Sequence, residues 1–265
     1  MKPKSSTGSL VELVGAPWEI HRLAIPLSSN SNASRISDLY TKAGGNIDYT
    51  CIFALSPDHG LGFSILVAGS TASDARWPLR DTLGELFIPA AEAASAANAE
   101  ANLAGTFVTP NQPGTNLTLS VDVEDESGGF PGLGLQSLYI NGTESRALLL
   151  GAAPEDLASQ EPITNALRLY PTGIYSDSTS LASLYKSVPR GSGNKRLSHR
   201  LVVTRAPFAP RAGSEGGPGG LFDNQPYWMT LDTLSGLDEF VLELGEGGRV
   251  VGVESKGLEM VFGRE

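Results

Sequence analysis

The sequence predicts two units rich in antiparallel sheet. The first, residues 1–104, is α+β, an antiparallel sheet with a C-terminal helix; the second, residues 105–265, is an all-β barrel or sandwich. Three observations carry this reading. An apolar meander occupies residues 36–69, one long helical periodicity runs from Pro78 to Leu103, and after Gly105 only short alternating runs follow, punctuated by turn clusters. The chain has 265 residues, 40% of them hydrophobic, enough for a core in each of one or two domains. Its 31 Gly and 17 Pro make it turn-rich.

Within the first unit the meander reads as Ile36–Lys42, Tyr49–Leu55 and Leu61–Ala68. The last two are joined by Ser56-Pro57-Asp58-His59-Gly60, where Pro and Asp suit a tight turn and Gly takes a positive φ. Both strands are almost continuously apolar, which predicts cover on both faces of the sheet. From Pro78 onward Leu79, Leu83, Leu86, Phe87, Ala90, Ala94, Ala97 and Ala101 recur at helical steps, with Asp81, Glu85, Glu92 and Glu100 off that stripe. Pro89 predicts a kink or a break there.

The expected strands of the second unit are Thr106–Thr109, Leu117–Val123, Gln136–Ile140, Arg146–Leu150, Leu167–Tyr170, Leu201–Thr204, Tyr227–Leu231, Phe240–Leu244, Val250–Val253 and Leu258–Phe262. Turn clusters at Asp125–Gly129, Arg190–Asn194 and Gly245–Gly248 separate them.

Charge and composition exclude several classes. The 19 basic and 29 acidic residues leave a net charge of −10. Against that background Lys186, Arg190, Lys195, Arg196, Arg200, Arg205 and Arg211 lie together without an intervening acid. A solvated hairpin is the favoured reading of this stretch, and an anion or partner surface the alternative. Nucleic acid is not expected, because no aromatic stacking platform accompanies it. No apolar run approaches the ~18 residues of a membrane span. The single Cys51 and the scattered His21, His59 and His199 offer no sequence-local metal site, so no metal or cofactor is expected. Met1 to Gly8 lacks the apolar stretch of a secretory signal. Three N-x-[ST] sequons nevertheless stand at Asn32, Asn116 and Asn141, as in a secreted chain.

The isolated candidates read as structural. Cys51 lies in an apolar strand and is expected to be a buried thiol. His59, in the hairpin turn, is expected to face solvent. His21 and His199 are read as structural or surface residues, and Trp18 as packed against the sheet.

Several segments in order carry a family resemblance. Val14-Gly15-Ala16-Pro17-Trp18-Glu19-Ile20, Asp38-Leu39-Tyr40-Thr41-Lys42-Ala43-Gly44 and Ala54-Leu55-Ser56-Pro57-Asp58 resemble the fungal serine β-lactamase-like proteins, which are related to class C β-lactamases and penicillin-binding proteins. Ala104-Gly105-Thr106-Phe107, Leu117-Thr118-Leu119-Ser120-Val121, Ile140-Asn141-Gly142-Thr143 and Gly236-Leu237-Asp238-Glu239-Phe240-Val241 resemble their C-terminal β-domain. The likeness runs from about Leu10 to the end. It implies that residues 1–104 are the C-terminal part of a β-lactamase/transpeptidase-like domain and that acyl transfer proceeds through a serine ester.

Such enzymes carry S-x-x-K, Y-x-N and Lys-[Thr/Ser]-Gly. The resemblance matches the third motif to Lys42-Ala43-Gly44 and makes the Gly45 backbone N–H an oxyanion donor. Lys42 would supply positive charge beside the proton relay and a substrate carboxylate, and Gly44 would let substrate backbone approach. Ala43 lacks the hydroxyl of that motif, which weakens penicillin-type recognition. Ser183-Leu184-Tyr185-Lys186, Ser192-Gly193-Asn194-Lys195 and Tyr139-Ile140-Asn141 spell the other two motifs. They follow Lys42 in the β-rich half, at the frequency chance supplies, so no nucleophile is assigned.

The expectation is therefore a truncated or incomplete serine hydrolase homologue, silent alone, taking a small-molecule or peptide substrate only with a catalytic half supplied from elsewhere. The alternative is a non-catalytic β-domain that binds a partner or assembles. Oligomeric state stays open, and secretion is implied by the resemblance alone.

Overall fold

The computed structural model describes residues 3–9, 11–26, 34–121, 132–150, 167–177, 195–203 and 236–265. The chain divides into two compact units, Met1–Ser95 and Ala96–Glu265. One helix, α1 (Ala72–Asn102), passes from the first into the second.

The first unit is a six-stranded sheet in sequence order: β1 (Ser5–Ser6), β2 (Glu12–Val14), β3 (Glu19–Pro26), β4 (Ser34–Asn46), β5 (Tyr49–Ser56) and β6 (Leu61–Ala68). Every pairing is antiparallel. The β5–β6 connection is a short 3-10 turn closed by Gly60 at φ +61°, a left-handed position that glycine occupies without penalty.

Cover on both faces, expected from the apolar runs, is not what the structure shows. Along β5, Thr50, Ile52, Ala54 and Ser56 are buried while Tyr49, Cys51 and Phe53 are exposed. Leu66 on β6 is 80% exposed. A uniformly apolar strand hides its own two-residue period, so its sequence cannot reveal that one face is open. Cys51, expected to be buried, points to that open face and is exposed.

The helix docks through a different stripe from the one its leucines suggest. Leu79, Leu86 and Phe87 are exposed, and within α1 only Ala72 and Ile88 are buried. The half-buried positions include Arg76, Arg80, Gly84 and Glu92, at four- and eight-residue steps along one face. Pro89 does not break α1, which holds Pro78 and Pro89 within 31 residues. Ile25, Leu39, Ala54 and Ile88 make a small buried cluster with Leu23, Leu61 and Phe63 beside it.

Polar contacts add to this packing in holding the helix on the sheet. Arg35 grips Glu92 through two parallel bonds, Nε to Oε1 and Nη2 to Oε2, both 2.7 Å. Its third nitrogen, Nη1, donates to Asp58 Oδ2 at 3.1 Å, where Ser37 Oγ also donates at 2.8 Å. His59 Nε2 lies 2.7 Å from Glu92 Oε2, and its Nδ1 lies 2.7 Å from Ser56 Oγ. The His59 side chain is 1% exposed, which overturns its expected solvent-facing place in the turn. Sequence periodicity misses this because each partner comes from a separate element.

The second unit holds β7 (Gly105–Val108), β8 (Asn116–Val121), β9 (Leu133–Ile140), β10 (Thr143–Glu144), β11 (Leu167–Asp177), β12 (Lys195–Val203), β13 (Glu239–Leu244), β14 (Val250–Ser255) and β15 (Met260–Arg264). Their order is β10-β9-β11-β12-β13-β14-β15-β7-β8, and β8 pairs again with β9, so the ladder returns to its start. Phe107, Leu117, Leu138, Leu169, Phe240 and Phe262 are among the side chains fully buried in its core. Arg146–Leu150, expected as a strand, is a 3-10 turn. Local bonds explain it: Arg146 N–H donates to Glu144 Oε1 and Ser145 N–H to Leu138 O. The expected strand Tyr227–Leu231 and the turn clusters Asp125–Gly129 and Arg190–Asn194 lie outside the described residues.

Arg264, near the end of β15, closes the helix end. Its Nη1 donates to Ala104 O at 2.9 Å, its Nη2 to Asn102 O at 3.1 Å and its Nε to Val250 O. The guanidinium also lies 4.8 Å from the Phe107 ring centroid. Two carbonyls at the C-terminal end of α1 thereby gain the partners that the helix cannot give them. Gly105, at φ +145°, leaves the space the guanidinium fills.

Two stability predictions follow from these contacts. Arg264→Ala is expected to cost about 2 kcal/mol, from lost charge-assisted bonds to otherwise unsatisfied carbonyls. Arg264→Lys should restore only part of it, since an ammonium cannot span the same acceptors. Thermal unfolding checks both, and an unchanged melting temperature for the alanine variant would contradict the role given to Arg264.

For Glu92, burial pushes the carboxyl up, but hydrogen bonds from Arg35 and His59 outweigh it and hold the group below its ordinary value of 4.5. A lowered folded value means that its contribution is complete above pH 4.5 and is lost as pH falls through the lower folded value. Glu92→Gln is expected to lose about 2 kcal/mol at pH 7. The gap from wild type should shrink below pH 4.5, as read by urea unfolding across pH; a gap that stays constant would refute the assignment.

Candidate functional site

The third-motif residues stand where β4 outruns its neighbour. The β3–β4 register runs from Pro26↔Ser34 to Glu19↔Thr41 and ends there, whereas β4–β5 pairing continues through Lys42↔Phe53, Ala43↔Ile52, Gly44↔Cys51, Gly45↔Thr50 and Asn46↔Tyr49. Residues 42–46 are therefore paired on the β5 side alone among the described strands. A strand edge of this kind presents backbone N–H and C=O groups to an extended ligand.

Side chains along this edge are sparse. Ala43 is a methyl group, and a Cβ on Gly45 would come within 3.1 Å of Tyr49 O. A Cβ on Gly44 would sit 3.3 Å from Cys51 Sγ. Glycine at both places keeps β4 close to β5 and leaves the outer edge accessible. Beyond them Ile47 makes the turn at φ +51° and is 90% exposed.

Lys42 is not a bare cation. Its Nζ donates to Glu19 Oε1 at 2.5 Å and to its neighbour's carbonyl, Ala43 O, at 3.1 Å. The Lys42 and Glu19 side chains are 46% and 40% exposed. Glu19 opens β3 directly opposite Thr41, and Thr41 Oγ1 donates to Glu19 O at 3.1 Å, so the backbone bearing the carboxylate is pinned beside the lysine.

Aromatic rings flank the same place. Trp18 lies 6.4 Å from Tyr40, edge to face, and 6.2 Å from Phe53, the residue opposite Lys42. By strand alternation Tyr40, Lys42, Cys51, Phe53 and Leu66 share the open face. The Tyr40 hydroxyl is pushed up by burial and then by the charges of Asp38 and Asp58. A cavity of about 340 Å³ adjoins it, lined by Arg22, Ile36, Ser37, Asp38, Tyr40, Pro57 and Asp58. Its carboxylates are engaged, Asp38 by Arg22 at 3.1 Å and Asp58 by Arg35.

The covered face holds a second group of cations. Arg76 Nη1 donates to Thr50 Oγ1 at 2.8 Å and lies 3.4 Å from Gly44 O. Arg76 and Arg80 stack on Trp77, at 4.6 and 4.8 Å from its centroid. Arg80 Nη1 is 3.1 Å from His21 Nε2; burial first, and then Arg80, hold His21 below its ordinary value. A neutral imidazole accepting from Arg80 fits both facts.

The remaining candidates fall elsewhere. Ser56, His59 and Glu92 have the hydrogen-bond spacing of a nucleophile, base and carboxylate, a cluster that sequence separation concealed. Ser56 is 2% exposed, and Glu92 already holds Arg35, so the relay lacks an accessible nucleophile. Tyr139-Ile140-Asn141 ends β9 in the second unit, where Asn141 takes the turn at φ +50°. Ser183–Lys186 and Ser192–Asn194 lie outside the described residues, as does the Asn32 sequon. Asn141 is exposed, whereas Asn116 sits in the ladder opposite Val108 and Tyr139.

Within the basic stretch, residues 195–203 are described. Arg200 Nη1 contacts both oxygens of Asp238 at 2.7 Å, and Arg196 pairs with Glu254. His199 is buried, and that burial, outweighing its bond to Leu197 O, holds the ring below its ordinary value. These side chains serve the sheet. No group of three His, Cys, Asp or Glu among the described residues is placed to hold a metal, and no described helix is long and apolar enough to cross a membrane.

Comparison with known proteins adds to this geometry. Residues 95–265 match the family described as Beta-lactamase-like-like, C-terminal domain. The chain is also similar to a Beta-lactamase-like protein of Arthroderma benhamiae, 27% identical over 271 residues. That alignment covers 96% of this chain and 42% of the relative's length. No solved structure matches. The ring-ordered sheet of the second unit is thus the part that the family profile describes, and the chain belongs to the β-lactamase-like C-terminal domain family.

Proposed function

We propose that this chain is the C-terminal portion of a larger β-lactamase-like serine hydrolase. In this reading residues 1–104 complete its acyl-transfer domain, and residues 105–265 form the accompanying β-domain, a small closed barrel. The observation that carries it is the free edge of β4 at Lys42–Asn46, with the lysine, two glycines and an exposed aromatic wall at one strand end. The serine nucleophile and the tyrosine relay would come from the part of the longer protein that the 42% coverage leaves unmatched.

Each residue then has a role in the chemistry. A substrate acyl group lies along the β4 edge, Gly44 letting its backbone approach. The Gly45 N–H donates to the oxygen that becomes negative in the tetrahedral intermediate, where a fixed dipole stabilises charge without reorganising. Lys42 adds positive potential near the serine and relay groups. The open face at Leu66, and the outer edge of β6, are the surfaces on which the rest of the catalytic domain would sit.

The purified 265-residue chain should hydrolyse neither nitrocefin nor p-nitrophenyl acetate above a Lys42→Ala control. A rate above that control would overturn the division of labour proposed. The product of a longer reading frame containing S-x-x-K should be labelled by a fluorophosphonate. In it, Lys42→Ala should lower kcat/KM roughly 100-fold, the scale on which loss of one electrostatic contact to the transition state is felt.

A further inference from the structure

We infer that Glu19 sets the charge preference of the β4 edge, so that the site takes neutral acyl groups, esters or amides without a carboxylate beside the reacting carbonyl. This rests on reading Lys42–Gly45 as the acyl site. A lysine beside a strand edge attracts carboxylates only if its charge is available. Here Lys42 carries its own counter-ion at 2.5 Å and spends a second donor on Ala43 O.

The pair contributes little stability, because both side chains are well exposed. Its effect lies in the local field instead. A ligand carboxylate close enough to bond Lys42 Nζ would also lie against Glu19, and like charges at such range reject the ligand. The Glu19 backbone is held opposite Thr41 by register and by the hydroxyl bond to its carbonyl, which keeps the carboxylate within reach of Lys42.

The surroundings agree with a neutral, apolar acyl group. Trp18 and Phe53 form an aromatic wall on the open face, with Phe53 directly across from Lys42. The other cation near Gly44 is Arg76, which approaches from the opposite face, bonded to Thr50 Oγ1 and stacked on Trp77.

The test is a binding titration of the 265-residue chain, which needs no serine nucleophile. Phenylacetate and its methyl ester are added separately, and the backbone amide signals of residues 42–46 are followed by NMR. Wild type should bind the ester and respond to phenylacetate at least fivefold more weakly than Glu19→Gln does. Adding Lys42→Met to Glu19→Gln should abolish the gain, and Glu12→Gln, which removes the same charge elsewhere, should not produce it. Equal phenylacetate affinity in wild type and Glu19→Gln, including no binding to either, overturns the inference. So does a gain that survives Lys42→Met, which would point to Arg76. Failure of the fluorophosphonate labelling would defeat the hydrolase reading while leaving this charge preference intact, so the two can be told apart.

Discussion

The register between β3 and β4 is the constraint on which the candidate site depends. Thirteen residues of β4 meet eight of β3, and pairing ends at Glu19↔Thr41. Because a slip of one residue would turn every side chain to the opposite face, the buried Leu39 and Thr41 and the exposed Lys42 fix that register together. From it follow the unpaired edge at residues 42–46, the presentation of Lys42 on the open face, and the meeting of Lys42 with the carboxylate that starts the neighbouring strand. The edge and its neutralising carboxylate are thus products of one alignment.

The helix makes the contrasting case, with charge joining packing in setting its position. Two arginines and a glutamate lie on the side of α1 that faces the sheet, while Trp77, Leu79, Leu86 and Phe87 of the same helix are left exposed. Alongside the buried cluster of Ile25, Leu39, Ala54 and Ile88, the Arg35–Glu92 fork and the His59 bridge tie the helix to the sheet. Such contacts are directional, and they set rotation and register along the helix as greasy surfaces do not.

These two cases explain what could be read in advance. The β4, β5 and β6 segments were legible because apolar runs between turn residues mark strands whatever lies on either side. Lys42-Ala43-Gly44 could be singled out because its three residues are contiguous. The docking face of α1, the burial of His59 and the exposure of Cys51 were not legible, since each depends on a partner distant in sequence or on a face left open. Glu19 belongs to the same class: it stands beside Trp18 in a recognisable segment, yet only the β3–β4 register brings it to Lys42.

The second unit joins its ends in a way that bears on how the chain acquires its structure. β15, the last described strand, pairs with β7, the first strand of that unit, through Gly263↔Val108 and Arg264↔Phe107. The ring of strands therefore cannot close until β15 is available to pair, however early β7 and β8 have formed their hairpin. Contacts of such long sequence separation make folding slow and postpone cooperativity until β15 has docked. Because Arg264 also secures the end of α1, that helix end receives its anchor in the same pairing step.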